Sequence, residues 1–274
     1  MEEELLVRYE DSELIVVDKP AGMHTAPLSS GDSGTLLELV MESFPEIGVL
    51  PGIKAVEPGL VHRLDRETSG LVVIARTAGA FDVLRRSFAS GEARKDYTAA
   101  CAEGGQPDGT PPRPSKDLSA DAYPRRFPGD YDGRPTPATL RIESRFAPYG
   151  LGRRMVRPVL AGERSAKLLA AASPGLYSTE ARIIRRGGGR ALISAWIRKG
   201  FRHQVRAHLA FLGFPILGDP LYGAVVPEGF APRMYLHAGR IELAHPATGR
   251  PLVVESPLPE EFISLFEYGK GASP

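Results

Sequence analysis

Apolar residues recur along this chain with two different periods, and their alternation divides it into short strands, tight turns and a few helices. Leu14-Ile15-Val16-Val17, followed by Asp18-Lys19-Pro20-Ala21-Gly22, reads as a strand stopped by a turn, since proline fixes one dihedral and glycine frees the next. Leu71–Ala75 is continuous and β-branched, the pattern of a strand buried on both sides. Leu36, Leu37, Leu39 and Val40 predict a short helix capped by Thr35 and ending near Phe44. Thr77 is placed to cap a second helix in which Phe81, Leu84 and Phe88 recur at helical spacing. Tyr97–Ala102 reads as another strand. Tyr177–Arg185 and Ala191–Ile197 predict a hairpin around Gly187-Gly188-Gly189. Val205–Leu212 is helical and ends at Gly213. Met234–Ala244 and Pro251–Glu255 are closing strands, and Pro259 opens a last helix expected to turn Phe262, Ile263 and Phe266 inward. This order predicts an α+β fold with a mixed, mostly antiparallel sheet.

Composition changes the picture in one place. From Gly104 to Pro137 the chain turns to Pro, Gly, Asp and Arg, which cannot bury enough apolar surface to fold alone. That stretch reads as an insertion within a single domain spanning residues 1–274. No run approaches the roughly 20 apolar residues of a membrane span. Cys101 is the only cysteine, which excludes an internal disulfide and a cysteine-based zinc site. The acidic start, Met1-Glu2-Glu3-Glu4, argues against a signal or transit peptide, so a cytoplasmic monomer is expected.

Charge adds a partner. The formal net charge is only +1, yet residues 141–210 hold 15 Lys/Arg against three Glu, a local net of +12. RNA suits such a surface, because cations that neutralise phosphates release the bound counterions.

The candidate chemistry centres on His62-Arg63-Leu64-Asp65-Arg66-Glu67-Thr68-Ser69-Gly70. A carboxylate between two arginines is held ionised, and the strand that follows would place it at the mouth of a rigid element. Two further segments stand out, Arg94-Lys95-Asp96-Tyr97 and Gly200-Phe201-Arg202-His203-Gln204-Val205-Arg206-Ala207-His208. Leu217-Gly218-Asp219-Pro220-Leu221-Tyr222-Gly223 and Leu236-His237-Ala238 follow. No cofactor is expected: neither glycine cluster has the spacing of a nucleotide loop, and His203 and His208 are wrongly spaced to share a metal on one helical face.

At these positions the chain resembles the RluA-type pseudouridine synthases. His62–Val73 matches the family's HRLDxxTSGLLL-type motif, and Leu14–Met23 looks like its first motif. Lys95-Asp96-Tyr97 resembles the segment bearing its active-site tyrosine, and Phe214–Gly223 its PILGDxxYG ending. The resemblance implies a pseudouridine-synthase fold, with helices and loops flanking a central cleft, that isomerises uridine in structured RNA, rRNA or tRNA. It implies no metal and no cofactor. Asp65 would be the nucleophile or base, Tyr97 a stacking platform with a hydroxyl near C5, and Arg206 the cation that keeps Asp65 charged. Arg63 would fill the space left by an extruded uridine, and Lys19 would contact phosphate. Arg202 and His203 would lie at the substrate, and Leu221 and Tyr222 would wall the pocket. The small S4 RNA-binding module that opens many members is expected to be missing, since the first strand of the pattern starts almost at once. Phe201 replaces an arginine of the family pattern, and Arg202 stands next to it as the candidate substitute.

Two other classes fit parts of this pattern. An RNA-binding protein on the same fold, without turnover, is favoured by Phe201 and opposed by Asp65, Tyr97 and Arg206 together. A glycoside hydrolase would need a defined pair of carboxylates. Glu67 is the nearest partner for Asp65, and a loop neighbour assures no such geometry.

Overall fold

A computed structural model describes residues 5–29, 31–104 and 139–267. From residue 105 on, the expected insertion lies outside the described residues. In chain order the elements are β1 (Leu6–Glu10), β2 (Leu14–Lys19), α1 (Leu36–Ser43), β3 (Ser69–Ala75), α2 (Ala78–Ser90), β4 (Arg94–Ala102), β5 (Thr139–Tyr149), β6 (Met155–Val159), α3 (Ala166–Ala171), β7 (Tyr177–Gly187), β8 (Arg190–Ile197), α4 (Gln204–Phe211), β9 (Leu236–Ala244), β10 (Pro251–Glu255) and α5 (Glu260–Glu267). The fold is α+β, and its strands pair mostly antiparallel. The chain forms two compact units, one of residues 1–97 and 236–258, the other of 98–235 and 259–274. Among the described residues no helix is long and apolar enough to cross a membrane.

In the first unit β2 pairs antiparallel with β1 and with β3, from Leu14 opposite Ala75 to Lys19 opposite Gly70. β3 runs parallel to β9 at Ser69–His237 and Gly70–Ala238, and β10 runs antiparallel along β9. Every residue of β3 is buried, as its unbroken apolar run predicts. One sheet face, with Leu14, Val16, Leu71 and Val73, packs on Phe81, Leu84 and Phe88 of α2. Gly70 is obligatory here: its φ is +115°, and an added Cβ would lie within 2.5 Å of the Ala238 carbonyl oxygen.

Both predicted helix caps form. Thr77 Oγ1 accepts from Ala80 N–H at 3.0 Å, and Thr35 makes a capping box with Glu38. Removing the Thr35 hydroxyl in Thr35→Ala should cost about 1 kcal/mol. The expected readout is a lower urea midpoint at unchanged slope.

In the second unit β7 lies between β5 and β8, and β5 also pairs with β6, all antiparallel. The β7–β8 turn is Gly188-Gly189, with φ of 58° and 71°, the positive angles a two-residue turn needs at both central positions. Behind this sheet α4 packs on Phe146, Met155 and Val156.

Several elements depart from the sequence reading. β1, β5, β6 and α3 were not expected. On β5 the inward positions are Leu140, Ile142, Ser144 and Phe146, so a serine interrupts the apolar alternation. β1 buries none of its residues fully. β4 begins at Arg94, three residues before Tyr97. On α5 the inward residues are Phe262 and Leu265, whereas Ile263 is exposed.

Candidate active site

Asp65 sits partly buried in the loop that leads into β3, and its neighbours' backbone holds that loop. The Lys19 ammonium donates to the carbonyls of Pro20 (2.9 Å), Met23 (2.8 Å) and Arg66 (3.1 Å). Thr25 Oγ1 donates to Leu64 O (2.8 Å) and accepts from Leu64 N–H (3.2 Å). Gly22 N–H donates to Arg66 O at 2.8 Å. The turn after β2, read in sequence as a strand stop and as part of the family's first motif, is therefore the clamp for the Asp65 loop.

The two arginines beside Asp65 are directed elsewhere, which corrects the sequence reading. Arg63 pairs with buried Glu57 at 2.8 Å, and Arg66 Nε donates to Gly22 O at 2.8 Å. Lys19, expected to touch phosphate, is fully buried.

At the start of the loop, His62 Nε2 accepts the Val73 N–H at 3.0 Å, and its ring stacks on Phe88 with centroids 4.5 Å apart. Burial, and then the Lys95 charge, push His62 down to about 3. Lys95 itself is brought down to about 8 by burial, with its ammonium 5.0 Å from the centre of the Phe88 ring. Tyr97, two residues along β4 and also buried, feels the charge of Asp65: burial first, then that carboxylate, push its phenol well above the usual range. The loop and the strand are thus linked electrostatically, Lys95 acting on His62 and Asp65 on Tyr97. A phenol held neutral in this way can stack and donate a hydrogen bond; it is no ready base.

In the second unit Arg206 is buried on α4, its side chain 2% exposed, and makes a two-pronged pair with Asp219 through Nε–Oδ2 (2.8 Å) and Nη2–Oδ1 (2.7 Å). Asp219 Oδ1 also accepts the N–H groups of Leu221 (2.8 Å) and Tyr222 (3.1 Å). The fully buried Tyr222 accepts Val156 N–H at 2.6 Å, and its hydroxyl lies 3.2 Å from His203 Nδ1. His203 caps α4 in a left-handed conformation, φ 57°. Asp219 was missed as a site residue; an acid in a Gly-Asp-Pro turn was the available signal.

The Phe201–Arg202 pair also finds its reason here. Phe201 stacks on Phe146 (centroids 4.9 Å apart, 5° between planes) and tilts against Tyr177. Arg202 Nη2 donates to the carbonyls of Arg153 (2.9 Å) and Met155 (3.3 Å). The phenylalanine completes an aromatic cluster, and Arg202 is committed to the β5–β6 connection.

The model of the family described as RNA pseudouridylate synthase matches residues 13–211. The chain belongs to that family. Its members are isomerases that make pseudouridine in RNA. The chain is 27% identical over 270 residues to the ribosomal large subunit pseudouridine synthase D of Nitrosomonas europaea, covering 96% of this chain and 64% of that protein. The same-named protein of Pseudomonas aeruginosa is 28% identical over 274 residues, 96% of this chain and 71% of its own length. Human RNA Pseudouridylate Synthase Domain Containing 4 shares the fold, with a TM-score of 0.60 at 20% identity, covering 94% of this chain and 90% of that one. The family match takes in the Asp65 loop, Tyr97 and Arg206.

Acid should weaken this fold. His62, and His208 bonded between Ser144 and Thr179, each titrate near 3 when folded because burial disfavours the charged ring. Unfolded, each titrates near 6.5, so the unfolded chain binds the extra protons between those values. Their contribution is whole above pH 6.5 and is lost as the pH falls. Going from pH 7 to pH 5 should cost about 2 kcal/mol per histidine, read as a falling urea midpoint.

Proposed function

We propose that this chain isomerises uridine to pseudouridine in a structured RNA, with Asp65 as the reacting carboxylate. The observation that carries the reading is the clamped Asp65 loop acting on the buried, neutral Tyr97. Asp65 attacks the ribose or removes a sugar proton; the N-glycosidic bond breaks and the uracil turns. C5 then bonds to C1′ as the Asp65–ribose bond breaks or the sugar proton returns, the C5 proton leaves and N1 gains one, so the reaction is redox-neutral. Tyr97 offers its ring to the uracil and keeps its proton. Arg206 is the cation assigned to the Asp65 carboxylate, and Asp219 sets the plane of its guanidinium.

A uridine within folded RNA must leave its stack before a side chain reaches its sugar. Arg63, half-exposed and tethered through its guanidinium to buried Glu57, is the side chain proposed to occupy the vacated space. His203, Leu221 and Tyr222 are proposed to line the substrate side in the second unit. Large-subunit ribosomal RNA is the first substrate to test, since two relatives carry it in their names, and tRNA is the second. A cytoplasmic monomer of one domain is the form proposed.

The test is to incubate the purified chain with rRNA and with tRNA from a strain lacking it, then map pseudouridine. At least one new site is expected. Tight RNA binding with no new site in either pool would overturn the enzymatic reading and leave an RNA-binding protein.

A further inference from the structure

Leu151 is the most exposed large apolar side chain among the described residues, at 96%. It stands at the tip of the β5–β6 hairpin, between Gly150 and Gly152, and exposed Arg153 and Arg154 follow it. An apolar side chain in that position makes no contribution to the fold's own core.

The tip is held in one shape. Gly150, Gly152 and Arg153 have φ of 78°, 64° and 56°, and Arg153 N–H donates to Gly150 O at 3.1 Å. Arg202 braces it from outside by donating to the carbonyls of Arg153 and Met155. Below the tip, Met155 and Val156 are buried in the aromatic cluster, and Val156 N–H is bound by Tyr222. The hairpin is thus anchored on the segment that carries His203 and Arg206.

Its charge is of one sign. No acidic residue lies between Glu143 and Glu163, a span that holds four arginines. A single apolar side chain in an all-cationic setting suits a base stack bordered by phosphates better than a protein surface of mixed charge.

We propose that Leu151 is a wedge that enters the base stack of the RNA substrate, while Arg153 and Arg154 hold the phosphates beside it. The proposal rests on the RNA-modifying reading above and names how that RNA is opened. The leucine reads no base edge, so it acts on any stacked RNA.

The test uses an RNA stem-loop with 2-aminopurine placed beside a loop uridine, a base whose fluorescence rises when it unstacks. Wild type should raise the signal severalfold. Leu151→Ala should bind within about threefold of wild type, with most of that rise lost and thermal stability unchanged. Arg153→Ala with Arg154→Ala should weaken binding about tenfold and lower the slope of log Kd against log salt by about 1.5, the value for two phosphate contacts. Wild-type unstacking by Leu151→Ala, or an unchanged salt slope in the arginine variant, would overturn the proposal, and the tip would then belong to a protein contact. The readout needs no turnover. Failure of pseudouridine formation and failure of the wedge are therefore separate results.

Discussion

Asp65→Asn is expected to abolish pseudouridine formation, lowering turnover by at least about a thousandfold, or about 4 kcal/mol in the barrier. The substitution keeps size and shape but removes the negative charge that a nucleophile or base requires. It should not disturb the loop. The clamp on that loop comes from Lys19, Thr25 and Gly22 acting on the backbone of residues 64 and 66, and none of those bonds uses the Asp65 side chain. RNA affinity should therefore stay within about twofold of wild type, because phosphate contacts dominate binding. Comparable turnover by the two proteins would remove Asp65 from the chemistry.

Asp219→Ala should produce the largest loss of stability of any single change considered. It would take the carboxylate from a guanidinium that is 2% exposed, and breaking a buried pair from one side costs about 3–5 kcal/mol. It would also strip the acceptor from the N–H groups of Leu221 and Tyr222. Asp219→Asn retains one oxygen for those N–H groups and should fall between Ala and wild type. Denaturant unfolding of the three proteins orders them directly. In the milder Asn variant, turnover should drop further than RNA binding, since Arg206 loses the partner that fixes its plane. Equal stability of all three would mean that the pair contributes nothing net.

Much of this arrangement was legible in the chain. Leu71–Ala75 could only be a doubly buried strand, and Thr35 and Thr77 announced their helices because their side chains satisfy N–H groups no helix can satisfy itself. The family motifs named Asp65, Tyr97 and Arg206. Other contacts came from residues distant in sequence, which periodicity does not register. Thr25 reaches Leu64 across 39 positions, and Lys19 reaches Arg66 across 47. The charge pattern around Asp65 misled for the same reason: Arg63 and Arg66 flank it within two positions, yet Glu57 and Gly22 lie where their side chains point. Phe201 looked like a lost arginine, and only the stack of Phe146 and Tyr177 shows what it gained.

The pairing of β3 with β9 has a consequence for the order in which the molecule is made. The strand carrying the Asp65 loop ends at Ala75, but its parallel neighbour does not begin until Leu236. At about 5–20 residues per second, the ribosome needs roughly 10–30 s to bring that neighbour out. During that interval Ser69 and Gly70, at the start of β3, lack their parallel partner, an edge open to another nascent chain. Shortening this wait, by circular permutation that places β9 and β10 ahead of β1, should raise the yield of folded protein at high expression.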